Sequence, residues 1–384
     1  MDNNFKLDLT LLSKELKLLL ELMKEENEEN IQRNKEELFT TIDWDHFLQL
    51  TRHHRVYPLI YMRLKSVDES LVPKEVIETL YEEYKRNTFQ MIQLSAEMDR
   101  VSKLFTDNGI QLLFLKGPVI AYEIYGDISL RTSKDLDILV KEMDFEKVEE
   151  LLFGLGYKRE EVLTILNERK WRYKDIVYYH PKIGMQIEIH WSTQPLSMRA
   201  PSFNELWEEK RTSSLTGSSI FFLGEDHLFV YLVSHGARHG WFRLRWLKDI
   251  DQMMRNGINF EKTFALLRKY KYHFAMGQTF ILSAQLLQNP VYEEMKRKIE
   301  GKKVRSLAGK AYLFIRDEEC ESVDTAYSFL LRDNLQKCIF IFSLFYPTYK
   351  DAEVLKLPKR LCFLYFPLRP FLWMWRKTKQ YVSS

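Results

Sequence analysis

Leu11, Leu12, Leu18, Leu19, Leu22 and Met23 recur at helical spacing and predict an amphipathic helix over residues 8–26. A polar stretch from Glu25 to Glu37 follows as a linker or an exposed helix. A second helical pattern runs from Asp43 to about Tyr57, where Pro58 interrupts it or opens a new helix. Leu80, Tyr84, Met91, Leu94, Met98 and Val101 mark a long helix over residues 74–107, and Asn108-Gly109 has the character of its C-cap. Then the period changes. Ile110 to Leu115 is a short apolar run of strand length. Lys116-Gly117-Pro118 is a turn, with Pro118 suited to the first position of a helix that Gly126 ends. Leu136 to Val140 reads as a second strand. Asp144 caps a helix that runs through Leu155 to Gly156. Ile176 to His180 and Met185 to Trp191 read as a hairpin around Lys182-Ile183-Gly184. From Glu225 the pattern is helical again, punctuated by Pro290, Pro347, Pro358, Pro367 and Pro370.

The expected fold is therefore α+β. A small mixed sheet of about four strands, over residues 108–222, lies between an N-terminal helical lobe (1–107) and a C-terminal helical lobe (223–384). Composition narrows the function classes. Hydrophobic residues at 45% and charged residues at 29% describe a globular chain and exclude a disordered, collagen-like or polytopic membrane protein. Lys plus Arg number 57 against 54 Asp plus Glu, a net charge of +3, so no extended nucleic-acid footprint is expected and any basic site must be local. Cys320, Cys338 and Cys362 are odd in number and lack CxxC spacing, which argues against a disulfide framework or a zinc knot and suits the cytoplasm. Met1 to Asn4 shows no basic start, and no small-residue cleavage site follows, so no signal peptide is expected. Leu361 to Trp375 is apolar and aromatic but too short to span a bilayer. It reads either as a tail packed on the helical lobe or as a weak peripheral membrane contact through Trp373, Trp375, Arg376, Lys377 and Lys379.

The chemistry concentrates in Lys134-Asp135-Leu136-Asp137-Ile138-Leu139-Val140. A strand sends alternate side chains to opposite faces, so Leu136 and Ile138 enter a core while Asp135 and Asp137 share the other face, about 7 Å apart. Two carboxylates side by side at a cleft require a cation, and Mg2+ accepts one or two carboxylates while keeping water and phosphate oxygens; Mn2+ is the alternative. In Met185-Gln186-Ile187-Glu188-Ile189-His190-Trp191 the same alternation puts Glu188 and His190 on one face. If that strand lies beside the first, Glu188 is a third carboxylate. Asp135, Asp137 and Glu188 can then hold two metals about 4 Å apart for an in-line phosphoryl displacement. The competing reading of each acidic residue is a solvated strand face; His190 is read either as a hydrogen-bonded histidine beside Trp191 or as a substrate contact.

These residues carry a resemblance. Leu115-Lys116-Gly117, Tyr125-Gly126-Asp127, Arg131, Asp135-Leu136-Asp137-Ile138-Leu139-Val140 and Glu188-Ile189-His190-Trp191 resemble the DNA polymerase β-type nucleotidyltransferase fold, and more narrowly a bacterial family of uncharacterised nucleotidyltransferases. The likeness extends weakly to Trp44-Asp45, to His53-His54-Arg55-Val56 and to His235-Gly236-Ala237-Arg238-His239-Gly240-Trp241. It implies transfer of a nucleotidyl group from an NTP, ATP included, or from a nucleotide-sugar, with release of pyrophosphate in the NTP case. The chain departs from the wider pattern in one place. A serine usually follows the glycine, whereas Pro118 follows Gly117 here, and seventeen residues separate Gly117 from Asp135. Lys116 then replaces the serine as a phosphate contact, with Arg131, Ser133 and Lys134 as further phosphate ligands.

His235 and His239 share a helix face. Gly236 stands where a zinc protease would need glutamate, so His235, Arg238 and His239 are read as packing residues or as a cleft wall touching nucleotide or acceptor. Asp249 is expected to orient a histidine or arginine there. The acceptor is expected to be a small molecule or a modified, phosphorylated peptide. The alternatives are a non-catalytic nucleotide-binding or antitoxin-like module, a hydrolase using the same metals, and a tailoring enzyme acting on a phosphorylated ribosomal peptide.

Overall fold

The computed structural model describes residues 5–25, 27–68, 70–160, 175–290, 301–347 and 349–383. Met1 to Asn4 lie outside the described residues. The N-terminal lobe is helical, as its periodicity demands. Helix α1 (Lys14–Met23) is capped by the Ser13 hydroxyl, which accepts from the Leu16 N–H, and it buries five leucines and Met23. Helices α2 (Trp44–His53) and α3 (Tyr57–Leu64) follow, with Pro58 in the first turn of α3. Helix α4 (Lys74–Asp107) is 34 residues long and buries a stripe that includes Leu80, Met91, Leu94, Met98, Val101 and Phe105. It stops where Gly109 takes a positive φ of 71° and the Ile110 N–H donates back to the Phe105 carbonyl at 2.9 Å.

The sheet has seven strands among the described residues, in the order β3-β4-β5-β2-β1-β7-β6. These are β1 (Leu112–Phe114), β2 (Asp135–Val140), β3 (Lys158–Arg159), β4 (Asp175–His180), β5 (Met185–His190), β6 (Arg211–Ser213) and β7 (Ile220–Phe222). The four strands expected from periodicity are β1, β2, β4 and β5. The other three have only two or three residues each, too few to establish a period. They are held by pairing. Phe222 of β7 lies parallel to Phe114 of β1, and β6 adds on as a hairpin partner. At the centre β2 runs parallel to β5 and antiparallel to β1. Leu136, Ile138, Ile187 and Ile189 are all fully buried, so the apolar halves of β2 and β5 face one core. Helix α5 (Pro118–Tyr125) starts at Gly117, whose φ of 100° is open to glycine.

The C-terminal lobe begins with α6 (Glu225–Arg238) and α7 (Leu244–Asn256). Gly236 in α6 is dictated by close approach. A Cβ there would lie 2.3 Å from the ring of Trp241, which is wholly buried against the helix. One hydrophobic cluster runs from the N-terminal lobe through the sheet into this lobe. The tail is a helix, α8 (Tyr365–Ser383), with a small core of Cys362, Tyr365 and Leu372. Its Arg369 and Arg376 both pair with the buried carboxylate of Asp351, while Phe371, Trp373 and Trp375 stay exposed. The side chains of Lys377 and Lys379 lie outside the described residues. Among the described residues no helix is long and apolar enough to cross a membrane.

Candidate functional site

The parallel pairing of β2 with β5 places Asp137 directly opposite Glu188 and Asp135 opposite Gln186. Directly opposed residues of neighbouring strands project to the same face, so the three carboxylates share one side of the sheet. Asp137 is the innermost, 1% exposed, and the Glu188 side chain is 23% exposed. Lys116 leaves the end of β1, where the Leu115 N–H donates to the Asp137 carbonyl at 2.9 Å. Its Nζ lies 3.0 Å from Asp137 Oδ1. His190 reaches the same oxygen through Nε2 at 3.1 Å and lies 3.6 Å from Glu188 Oε2. Its Nδ1 faces Asp175 Oδ2 at 3.3 Å.

Burial alone would raise the pKa of Asp137, but the charge of Lys116 and the hydrogen bond from His190 outweigh it and hold the carboxyl well below the usual carboxylate range. Lys116 is raised for the reciprocal reason, its burial being overcome by Asp137. Asp135 moves the other way. Burial, then the neighbouring Asp137 charge, push it up to about 6, and Lys116 offsets this only in part. The pair is therefore one carboxylate held ionised and one short of a counter-charge.

The donor set fits a divalent cation. Ligand atoms of Asp137, Glu188 and His190 lie within 4.8 Å of one another. Asp137 Oδ2 is buried and has no hydrogen-bond partner, leaving an acceptor directed at no protein donor. Asp135 stands next to it on the same face. Carboxylate oxygens suit Mg2+ or Mn2+, with the remaining positions left to water and phosphate.

Two further residues belong to this site, and periodicity did not single them out. Asp175 opens β4 exactly opposite His190 in the hairpin register; the signal was the turn itself, because pairing His180 with Met185 brings Asp175 to His190. Tyr231 of α6 is buried beside Lys116 and Asp137, and burial raises its phenol pKa. Nothing local in the sequence marks it. Arg238, also on α6, is held by the His235 Nδ1 at 3.3 Å, feels Asp175 and Asp137, and has its pKa lowered by burial. His235 packs on His239 with ring centroids 4.7 Å apart, and both contact Trp246. The structure thus brings Arg238 within electrostatic reach of the acidic centre, while His235 and His239 pack on Trp246.

Arg131 departs from the phosphate contact expected of it. Its side chain is 1% exposed and grips Asp249 through Nε and Nη2 at 3.0 to 3.1 Å. The Tyr125 hydroxyl donates to the same carboxylate at 2.9 Å. Arg131 therefore ties the segment before β2 to α7, and Asp249 does orient an arginine. Removing one partner of such a pair leaves a buried charge uncompensated, so Asp249→Ala is expected to cost about 3–5 kcal/mol in urea unfolding. The double variant Arg131→Met, Asp249→Leu should recover much of that loss. Equal losses in single and double variants would show that packing, not charge, makes the joint. Ser133 donates to the Asp135 carbonyl at 3.1 Å, and Ser133 and Lys134 line a cavity of about 350 Å³.

No functionally curated protein matches the chain. Among solved structures, an antigenic nucleotidyltransferase-like protein from Paracoccidioides brasiliensis is similar at 13% identity and a TM-score of 0.32, over 52% of this chain and 93% of that one. A family model described as uncharacterised nucleotidyltransferase matches residues 40–288. That span is well over half of the chain and contains every residue of the acidic centre, and the chain belongs to this family of uncharacterised nucleotidyltransferases.

Proposed function

We propose that the acidic centre transfers a nucleotidyl group from an NTP to a hydroxyl or phosphate oxygen of an acceptor, in a reaction that depends on a divalent cation. The observation that carries this reading is the register match of Asp137 with Glu188, together with the unpartnered, buried Asp137 Oδ2. Asp135, Asp137 and Glu188 are the proposed oxygen ligands. Bound there, Mg2+ would supply charge neutralisation for the triphosphate and acidify the acceptor oxygen.

The protein's own groups do the rest. Lys116, 3.0 Å from Asp137, keeps a positive charge at the point where phosphate oxygens arrive. His190, held between Asp137 and Asp175, fixes the orientation of the Asp137 carboxylate. Tyr231 and Arg238 form the wall contributed by α6. Such a site acts by positioning and preorganised charge and needs no covalent enzyme intermediate. The nearly balanced net charge favours a small molecule or a modified peptide over a long nucleic acid as acceptor.

The test is pyrophosphate release from each of the four NTPs with Mg2+ and a pool of candidate acceptors, with products weighed by mass spectrometry. The expected result is release that EDTA removes and Mg2+ restores, and a product heavier by one nucleotidyl group. Tight NTP binding without release would identify a nucleotide sensor. Nucleoside monophosphate without a heavier acceptor would identify a hydrolase.

A further inference from the structure

A second charged feature adjoins the acidic centre, and the proposed reaction does not yet use it. Helix α2 ends in a Schellman turn, in which the Arg55 N–H donates to the Arg52 carbonyl at 3.1 Å and the Val56 N–H to the Thr51 carbonyl at 3.0 Å. The left-handed position of such a turn is usually glycine, because a Cβ there crowds the backbone. Here it is Arg55, at φ 56°. Arg55 thus keeps its side chain at the cost of backbone strain.

Arg55 lines the cavity of about 350 Å³ together with Arg243, Lys134, Ser133 and Tyr57. The neighbouring Arg52 pairs with Glu83 and Arg131 with Asp249, but among the described residues neither Arg55 nor Arg243 makes an ion pair. Arg243 Nε is buried without a hydrogen-bond partner. So is the Nε of Arg245, whose terminal nitrogen is fixed on the carbonyl and hydroxyl of Thr132. Burial and then the surrounding guanidinium groups push Arg243 down to about 10 and Arg245 to about 9. Glu318, Glu319 and Glu321 also line the cavity, but Glu318 is held by His46 at 2.7 Å and Glu321 acts on Arg243 only beyond ion-pair distance.

Clustered guanidinium groups with open donors repel one another, and their geometry suits a multiply charged oxyanion. The location narrows the class. Arg55 is within electrostatic reach of Asp135, and Ser133 and Lys134 of the cavity lead directly into that strand, so the cavity lies beside the acidic centre. We infer that this cavity is a phosphate-binding site, built by Arg55 and Arg243 with Lys134 and Ser133, that takes either the terminal phosphates of the donor NTP or a phosphate carried by the acceptor. The choice between those two sources rests on the transferase reading; the phosphate site itself does not.

The test is isothermal titration of the full chain with inorganic phosphate, alone and with a saturating magnesium complex of a non-hydrolysable α,β-methylene ATP. Saturable, salt-sensitive phosphate binding is expected, weakened about tenfold or more by Arg243→Gln and by Arg55→Gly. Arg55→Gly also relieves the left-handed strain, so its melting temperature should not fall, and lost binding cannot then be lost folding. If the ATP analogue abolishes phosphate binding, the cavity holds the donor's tail; if phosphate still binds beside it, the cavity serves the acceptor. No saturable binding to the wild type, or unaltered affinity in both arginine variants, overturns the site. Neither result bears on pyrophosphate release, which decides the transferase reading independently.

Discussion

Asp137→Asn and Asp135→Asn are both expected to reduce pyrophosphate release by roughly a thousandfold or more, while shifting stability in opposite directions. Activity falls in both because each substitution removes a charged oxygen ligand from the proposed cation site. Stability separates them. Asp137 is the counter-charge of Lys116, whose side chain is only 17% exposed, and it also accepts from His190. An amide there leaves a buried ammonium without its partner, a change of about 3 kcal/mol or more against folding. Asp135 has the reverse problem. Its carboxyl is buried, and also crowded by Asp137, and is pushed up to about 6 from 3.8. A raised folded pKa means that the stability this group contributes is present below pH 3.8 and lost as pH rises through about 6. At pH 8 without metal, Asp135→Asn removes that penalty and should stabilise by roughly 1–3 kcal/mol. Urea unfolding in EDTA at pH 8, beside pyrophosphate release with Mg2+, measures both quantities. Wild-type turnover in either variant would sink the assignment of the cation site. Stability shifts of the same sign would refute the electrostatic account of Lys116.

The second large effect is expected on acidification, through His54. The ring is wholly buried, with its pKa pushed down to about 3 from 6.5 by burial first and by the adjacent His53 second. Its Nδ1 accepts the Leu244 N–H at 3.4 Å, and its carbonyl accepts the Arg245 N–H at 3.3 Å. Protonation of Nδ1 would remove the first of these bonds. Between about pH 3 and 6.5 the unfolded chain holds a proton on this histidine that the folded chain refuses. Stability due to His54 is therefore complete above pH 6.5 and falls with pH, by roughly 2 kcal/mol at pH 5 and roughly 4 at pH 3. His54→Asn, which keeps an acceptor for Leu244, should flatten that dependence. The difference between its urea midpoints and those of the wild type at pH 7 and pH 5 isolates the ring from other titrating groups. Parallel profiles would mean that His54 is not the acid-sensitive joint between α2 and α7.

Much of the site was legible because strands repeat every two residues. Alternation alone set Asp135 and Asp137 against Leu136 and Ile138, and Glu188 and His190 against Ile187 and Ile189, and the folded sheet keeps each set on its own side. Helix limits were equally local. Asn108-Gly109 ends α4 and Pro118 begins α5 because a positive φ and a fixed proline φ are properties of single residues.

Charge partners were not legible, since an ion pair is decided by whichever residues packing brings within a few ångströms. Arg131, next to the aspartates in sequence, belongs to Asp249, 118 positions away. Repulsion between Asp135 and Asp137 treats the two alike on paper; Lys116 makes them opposites. Asp175, Tyr231 and the Arg55–Arg243 cavity likewise exist only once distant segments meet. The sequence by itself determined which side chains share a strand face and where helices start and stop, because those depend on backbone geometry over a few residues. Tertiary structure alone decided which carboxylate is neutralised, which arginine is spent on folding and which, among the described residues, is left without an ion pair, because electrostatic pairing depends on distance in space rather than along the chain.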